Sequence, residues 1–178
     1  IFPQTNPLKG EITPPSSKNY SVRFLLASAL LAKGKSEILF PAQSEDFSAA
    51  LSACRQFGAK ITRKKNKLIV IGVGGNLKQP KKPVDVGNAG TVLRLLLGIA
   101  STLPEVTFTT TYWQSLGTRP NQDLLNALAQ LGVKSESNKG KLPITLHGGK
   151  GKLHGGVATV SGETSSQYTS SLLFLAPL

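Results

Sequence analysis

Cysteine is nearly absent from this chain: Cys54 is the only one among 178 residues. That excludes an internal disulfide framework and a cysteine-rich metal site. Histidine is equally scarce, with only His147 and His154, so no metal site is expected and no cofactor is assigned. Aromatic residues amount to 6%, and no segment alternates basic residues with stacking rings, which argues against reading of RNA bases. No apolar run approaches the ~18 residues of a membrane span. The longest stretches, Phe24 to Ala32 and Leu95 to Ala100, predict core helices. Near the start, Pro3, Gln4, Asn6 and Pro7 interrupt any signal-peptide pattern, and the cytoplasm is the expected compartment. Methionine is missing altogether, which predicts a piece of a longer chain.

Acidic residues are few as well. Nine Asp and Glu stand against 21 Lys and Arg, a formal charge of +12. Such an excess points to an anionic partner, either nucleic acid or a small phosphorylated or carboxylated molecule. Clusters such as Arg63-Lys64-Lys65 and Lys78 to Lys82 are expected as solvated hairpin tips and linkers, so bulk charge does not choose between the two.

An internal repeat is the most informative feature present. Phe57-Gly58-Ala59-Lys60-Ile61, a basic turn and Lys67 to Gly72 are echoed by Leu131-Gly132-Val133-Lys134, a turn and Lys141 to Gly148. In each copy a short strand enters a turn and an apolar helix follows, Ser21 to Ala32 and then Thr91 to Ser101. A strand comes next, Ser36 to Phe40 and Val106 to Thr110, then an amphipathic helix, Asp46 to Phe57 and Asn121 to Leu131. Gly58 and Gly132 stand at C-cap positions, and a hairpin closes each copy. The pattern is an α/β (α+β) fold of repeated β-α-β-α-β-β units, spanning residues 8–75 and 76–149. A third, partial unit over residues 150–178 offers Val157 to Val160 as a strand, Ser161 to Ser166 as a turn and Tyr168 to Leu175 as a helix. Ending there leaves an apolar helix without cover, which again predicts truncation.

The equivalent turns carry the chemistry. They read Pro15 to Arg23, Asp85 to Arg94 and Gly162 to Gln167, each leading into an apolar helix. Helix starts present unpaired N–H groups and a partial positive charge, which suit phosphates and carboxylates. Glycines 87 and 90 permit close approach of a ligand to the backbone. Ser17, Thr91 and Ser165 also fit as ordinary N-caps. Their recurrence in three copies, with Lys18, Arg23 and Arg94 nearby, favours a mouth for small polyanions, formed if quasi-threefold packing brings the turns to one end.

Val86-Gly87-Asn88-Ala89-Gly90-Thr91 followed by Arg94 resembles the Gly-Asn-Ala-Gly-Thr-x-x-Arg signature of the 3-phosphoshikimate 1-carboxyvinyltransferases, or EPSP synthases. Ser165-Ser166-Gln167, Lys18-x-x-Ser21-x-Arg23 and Arg119-Pro120 resemble further segments of that family, in the right order along the whole chain. The resemblance implies the enolpyruvyl transferase fold, with residues 1–178 a truncated substrate-binding domain. It implies transfer of an enolpyruvyl group from phosphoenolpyruvate to the 5-hydroxyl of 3-phosphoshikimate, with release of phosphate and no cofactor or metal. By carry-over, Lys18, Asn19, Arg23, Ser165, Ser166 and Gln167 would bind 3-phosphoshikimate, and Lys18, Gly90, Arg94, Arg119 and Gln167 phosphoenolpyruvate. The family's proton-transfer residues belong to its second half, so no catalytic base is assigned and the chain alone is expected to be inactive. The resemblance further implies small-molecule partners, no nucleic acid or membrane, and a monomer at full length.

The family departs from this sequence at Asn19, where it has serine. Lys-Asn is found in the sister UDP-N-acetylglucosamine enolpyruvyl transferase, whose reactive cysteine five residues before the arginine is here Gln114. That enzyme is one alternative. A basic nucleic-acid-binding repeat module, related to the repeat of RNA 3′-phosphate cyclases, is the other.

Overall fold

A computed structural model describes residue 7, residues 9–149 and residues 151–178. The expected unit boundaries at positions 8 and 150 fall outside these residues.

The first copy runs α1 (Lys18–Leu26), continued by a π-helical turn Ala27–Leu31, then β1 (Lys33–Leu39), α2 (Glu45–Gln56), β2 (Lys60–Lys64) and β3 (Lys67–Val73). The second runs β4 (Val84–Asp85), α3 (Gly90–Ala100), β5 (Val106–Thr109), a 3-10 turn Leu116–Thr118, α4 (Gln122–Gln130), β6 (Lys134–Asn138) and β7 (Lys141–His147). A final helix, α5 (Ser166–Leu175), belongs to the third copy. The repeat reappears in the sheets. One has the order β1-β3-β2 and the other β4-β5-β7-β6, so β5, β7 and β6 take the places of β1, β3 and β2. All pairs are antiparallel except β4 with β5.

Alternation of side chains explains how the sheets sit. Leu68 and Val70 of β3 are buried, as are Leu142, Ile144 and Leu146 of β7, while Lys33, Lys35, Glu37 and Leu39 of β1 are exposed. The buried faces meet the helices in one hydrophobic core. At its centre α3 is covered on all sides: Leu93, Leu95, Leu96 and Leu97 are each 0% exposed. Burying such a side chain contributes about 2 kcal/mol, so α3 is the anchor from which Thr91 and Arg94 project.

Glycine permits the closest helix contact. A methyl on Gly98 would lie 2.6 Å from Ser171 Oγ and nearer still to Ser171 O, and the Gly98 N–H donates to Ser171 Oγ at 3.1 Å. Ser171 Oγ also donates to the Arg94 carbonyl at 2.6 Å. The third copy's first helix is thereby locked along α3. Gly58 and Gly132 have φ of +104° and +90°, the left-handed conformation expected after α2 and α4.

Two expected strands are absent among the described residues. Residues 9–17 contain none, so no counterpart to β4 is found among the described residues of the first copy. Val157 to Val160 is not a strand either. It pairs with no strand among the described residues; instead Gln130 Oε1 accepts from Thr159 N at 2.9 Å and Gln130 Nε2 donates to Thr159 O at 3.0 Å. One side-chain amide thus satisfies the backbone groups a sheet partner would otherwise take.

Candidate functional site

The starts of α3 and α5 are joined by polar side chains. Ala89 precedes α3, so that helix has no capping side chain and its first amides lack the usual partner. Ser165 caps α5, its Oγ accepting from Gln167 N at 3.2 Å. Gln167 bridges the two helices: its Nε2 donates to Thr91 Oγ1 at 2.9 Å, and its Oε1 accepts from Arg94 Nη1 at 2.9 Å. The same Nη1 reaches Ser165 Oγ at 3.4 Å, and Arg94 Nε donates to Asn121 Oδ1 at 3.2 Å. Underneath, the Arg94 guanidinium carbon lies 5.3 Å from the centre of the buried Tyr168 ring. Tyr168 in turn donates its hydroxyl to the Pro120 carbonyl at 2.8 Å.

Arg119 comes to the same place from the loop before α4. A methyl on Gly90 would lie 3.3 Å from Arg119 Nη1 and 3.9 Å from Arg94 Nη1, so glycine leaves room for both guanidiniums. Neither arginine forms an ion pair with a carboxylate among the described residues. Partial burial pulls the Arg94 pKa below its ordinary value; Tyr168 opposes this, and the Arg119 charge adds to it. Two cations held side by side at an uncapped helix start, with no carboxylate partner among the described residues, are chemically suited to a small anion.

The first copy contributes separately. Ser17 Oγ caps α1, accepting from Tyr20 N at 3.3 Å. Lys18 Nζ pairs with Asp46 Oδ2 at 2.8 Å, in the first turn of α2. Arg23 turns back along its own helix to donate to the Asn19 carbonyl at 3.1 Å. Buried Ser21 accepts from the Ala42 amide at 2.9 Å, tying α1 to the chain ahead of α2.

Gly90, Thr91, Arg94, Arg119, Ser165 and Gln167 therefore form one connected cluster, with Ser166 exposed at the first position of α5. Lys18, Asn19 and Arg23 stand apart on α1 and make no hydrogen bond to that cluster among the described residues. Two of the three suggested N-caps, Ser17 and Ser165, do cap their helices, whereas Thr91 accepts from Gln167 instead. Asn121, Tyr168 and Asp46 were not singled out from the sequence. Asn121 and Asp46 carried only the signal of a helix start, and nothing marked Tyr168 beyond its place on an apolar helix.

Cys54 and the two histidines lie outside the cluster. Cys54 is fully buried and burial pushes its thiol pKa up, away from reactivity. His147 is flanked by Glu136 at 3.1 Å and Glu105 at 3.5 Å on the outer sheet face, and His154 is exposed. Among the described residues no group of three or more His, Cys, Asp and Glu could hold a metal ion. No described helix is long and apolar enough to cross a membrane.

The model of the EPSP synthase (3-phosphoshikimate 1-carboxyvinyltransferase) family matches residues 3–178. A protein of Deinococcus radiodurans named 3-phosphoshikimate 1-carboxyvinyltransferase is 43% identical over 171 residues, 96% of this chain and 38% of its own length. A namesake from Methanococcus aeolicus is 39% identical over 180 residues, covering 99% of this chain and 41% of its own. Among solved structures, an EPSP synthase from Acinetobacter baumannii superposes with a TM-score of 0.81 at 28% identity, covering 93% of this chain and 37% of that one. The chain thus spans about two fifths of the length of the curated relatives it matches. Family match, relatives and fold agree, and the chain belongs to the EPSP synthase family.

Proposed function

We propose that this chain supplies the substrate-binding half-site of an enzyme that transfers an enolpyruvyl group from phosphoenolpyruvate to the 5-hydroxyl of 3-phosphoshikimate, releasing phosphate. The observation that carries the proposal is the pair of unneutralised guanidiniums, Arg94 and Arg119, above Gly90 at the uncapped start of α3. Phosphoenolpyruvate carries a phosphate and a carboxylate, and preorganised cations hold such groups without reorganisation during the reaction. Arg119 and Gly90 contact that substrate, with Arg94 and Gln167 supporting them.

Ser165, Ser166 and Gln167 meet 3-phosphoshikimate from the start of α5, and Lys18, Asn19 and Arg23 meet it from α1. Lys18 exchanges part of its Asp46 pairing for the ligand. Addition of the hydroxyl across the vinyl group demands a proton for the methylene carbon and removal of the hydroxyl proton. Those proton-transfer groups are assigned to the portion of the relatives this chain does not span. Residues 1–178 form a substrate-binding domain of two repeat units and part of a third. The full protein works in the cytoplasm as a monomer on small molecules, without nucleic acid.

Separate substitutions test the assignment. Lys18→Ala or Ser166→Ala is expected to weaken 3-phosphoshikimate binding at least tenfold with the circular dichroism spectrum unchanged. Arg119→Ala is expected to act mainly on phosphoenolpyruvate. Wild-type affinity for both ligands in these variants would refute the assignment.

A further inference from the structure

Asn121 immediately precedes α4, where an asparagine side chain ordinarily accepts from an amide two or three residues ahead. It makes no such bond here. Its side chain turns inward, is 0% exposed, and has every polar group occupied. Oδ1 accepts from Arg94 Nε at 3.2 Å, while Nδ2 donates to the carbonyls of Arg119 at 3.1 Å and Gly140 at 3.0 Å. The Asn121 N–H donates to the same Gly140 carbonyl at 3.0 Å, anchoring the whole residue against the β6–β7 turn.

The two arginines that border Gly90 thus share one fixed point. Asn121 orients Arg94 through the guanidinium and Arg119 through its backbone. Like charges this close repel: burial is the main cause of the lowered Arg94 pKa, and the Arg119 charge adds to it. A carboxylate at position 121 could still accept from Arg94 Nε, but it would lose both donors to the Arg119 and Gly140 carbonyls and cancel one of the charges. An amide combines an acceptor with two donors and carries no charge. It can therefore align both cations and leave their charge for a ligand.

We propose that Asn121 is a positioning residue that presets Arg94 and Arg119 for the anionic groups of phosphoenolpyruvate. The identity of that ligand rests on the half-site proposed above; the positioning itself rests on the hydrogen bonds of Asn121.

The test compares the wild-type chain with Asn121→Leu and Asn121→Asp. Titration calorimetry measures phosphoenolpyruvate and 3-phosphoshikimate, and phenylglyoxal labelling mapped by mass spectrometry measures the reactivity of each arginine. Asn121→Leu is expected to weaken phosphoenolpyruvate at least tenfold, leave 3-phosphoshikimate within threefold, and speed Arg94 labelling severalfold. Asn121→Asp is expected to keep Arg94 labelling slow, because its carboxylate still accepts from Nε, yet to weaken phosphoenolpyruvate through its added negative charge and the lost donor to the Arg119 carbonyl. General loosening of the fold cannot produce that split.

Unchanged phosphoenolpyruvate affinity in a folded Asn121→Leu protein would overturn the proposal. So would parallel loss of both ligands with every arginine labelled faster. If wild type binds neither ester, the half-site proposal fails, while an Arg94 labelling rate unchanged in Asn121→Leu would still overturn the role of Asn121. If Asn121→Leu does not fold, Asn121→Asp decides, since wild-type affinity for phosphoenolpyruvate in that variant would refute the charge argument.

Discussion

Replacing Arg94 with leucine keeps the apolar stem but removes three hydrogen bonds, to Asn121 Oδ1, Gln167 Oε1 and Ser165 Oγ. A hydrogen bond from a charged group contributes about 1.5–3 kcal/mol when well formed. The bond to Gln167 at 2.9 Å meets that standard, those at 3.2 and 3.4 Å are weaker, and the site is only half-buried. Together with the loss of the cation over Tyr168, worth about 0.5–1 kcal/mol, the expected destabilisation is about 3 kcal/mol. Part of it arises because the fully buried Asn121 is left without a donor for Oδ1. Arg94→Lys retains one charged donor but not the fork, and is expected to lose about half as much. Urea unfolding followed by circular dichroism measures both, and the linear slopes check that the unfolded states are comparable. A leucine variant within about 0.5 kcal/mol of wild type, a margin typical of an uninvolved surface residue, would mean that Arg94 does not hold α3 and α5 together.

Gly98→Ala forces a methyl against Ser171 and is expected to cost about 1–3 kcal/mol in the same assay; a neutral result would refute the close α3–α5 contact. Leu96→Ala, in the centre of the core, is expected to cost about 2–5 kcal/mol. Burial raises the Tyr168 pKa, with Arg94 opposing. Because the folded form holds this proton more tightly than the unfolded form, that stability is complete below the ordinary tyrosine range. It is lost as pH rises through the folded pKa. The Glu45 carboxylate raises the Tyr112 pKa as well, so spectrophotometric titration is expected to show two phenols ionising above the ordinary tyrosine range, and Tyr168→Phe should remove one of them.

Much of this was legible in the residues themselves. Leu124, Leu125 and Leu128 recur at helical spacing and are buried in α4, and the two hairpins follow the glycines expected to end α2 and α4. Helix α1 begins at Lys18 rather than at Ser21, since Ser17 caps it and the polar run 17–19 hid the first turn from an apolar count. The strand expected at Val157 to Val160 failed for a different reason. A strand exists only with a neighbour, and propensity cannot report whether one is present. The site divides along the same line. Gly90, Arg94 and Arg119 could be named from motifs, but the fixed point between them could not. Asn121 looks like a helix cap in sequence, and its inward turn depends on Gly140 being brought beside it from 19 residues away.

Calorimetric titration of the chain with 3-phosphoshikimate, alongside a UDP-sugar and a short RNA, tests the central claim most directly. The account predicts saturable binding of the shikimate ester alone, weakened by Lys18→Ala. No binding of that ester to a protein whose fold is verified by circular dichroism, or preference for the UDP-sugar or RNA, would contradict it.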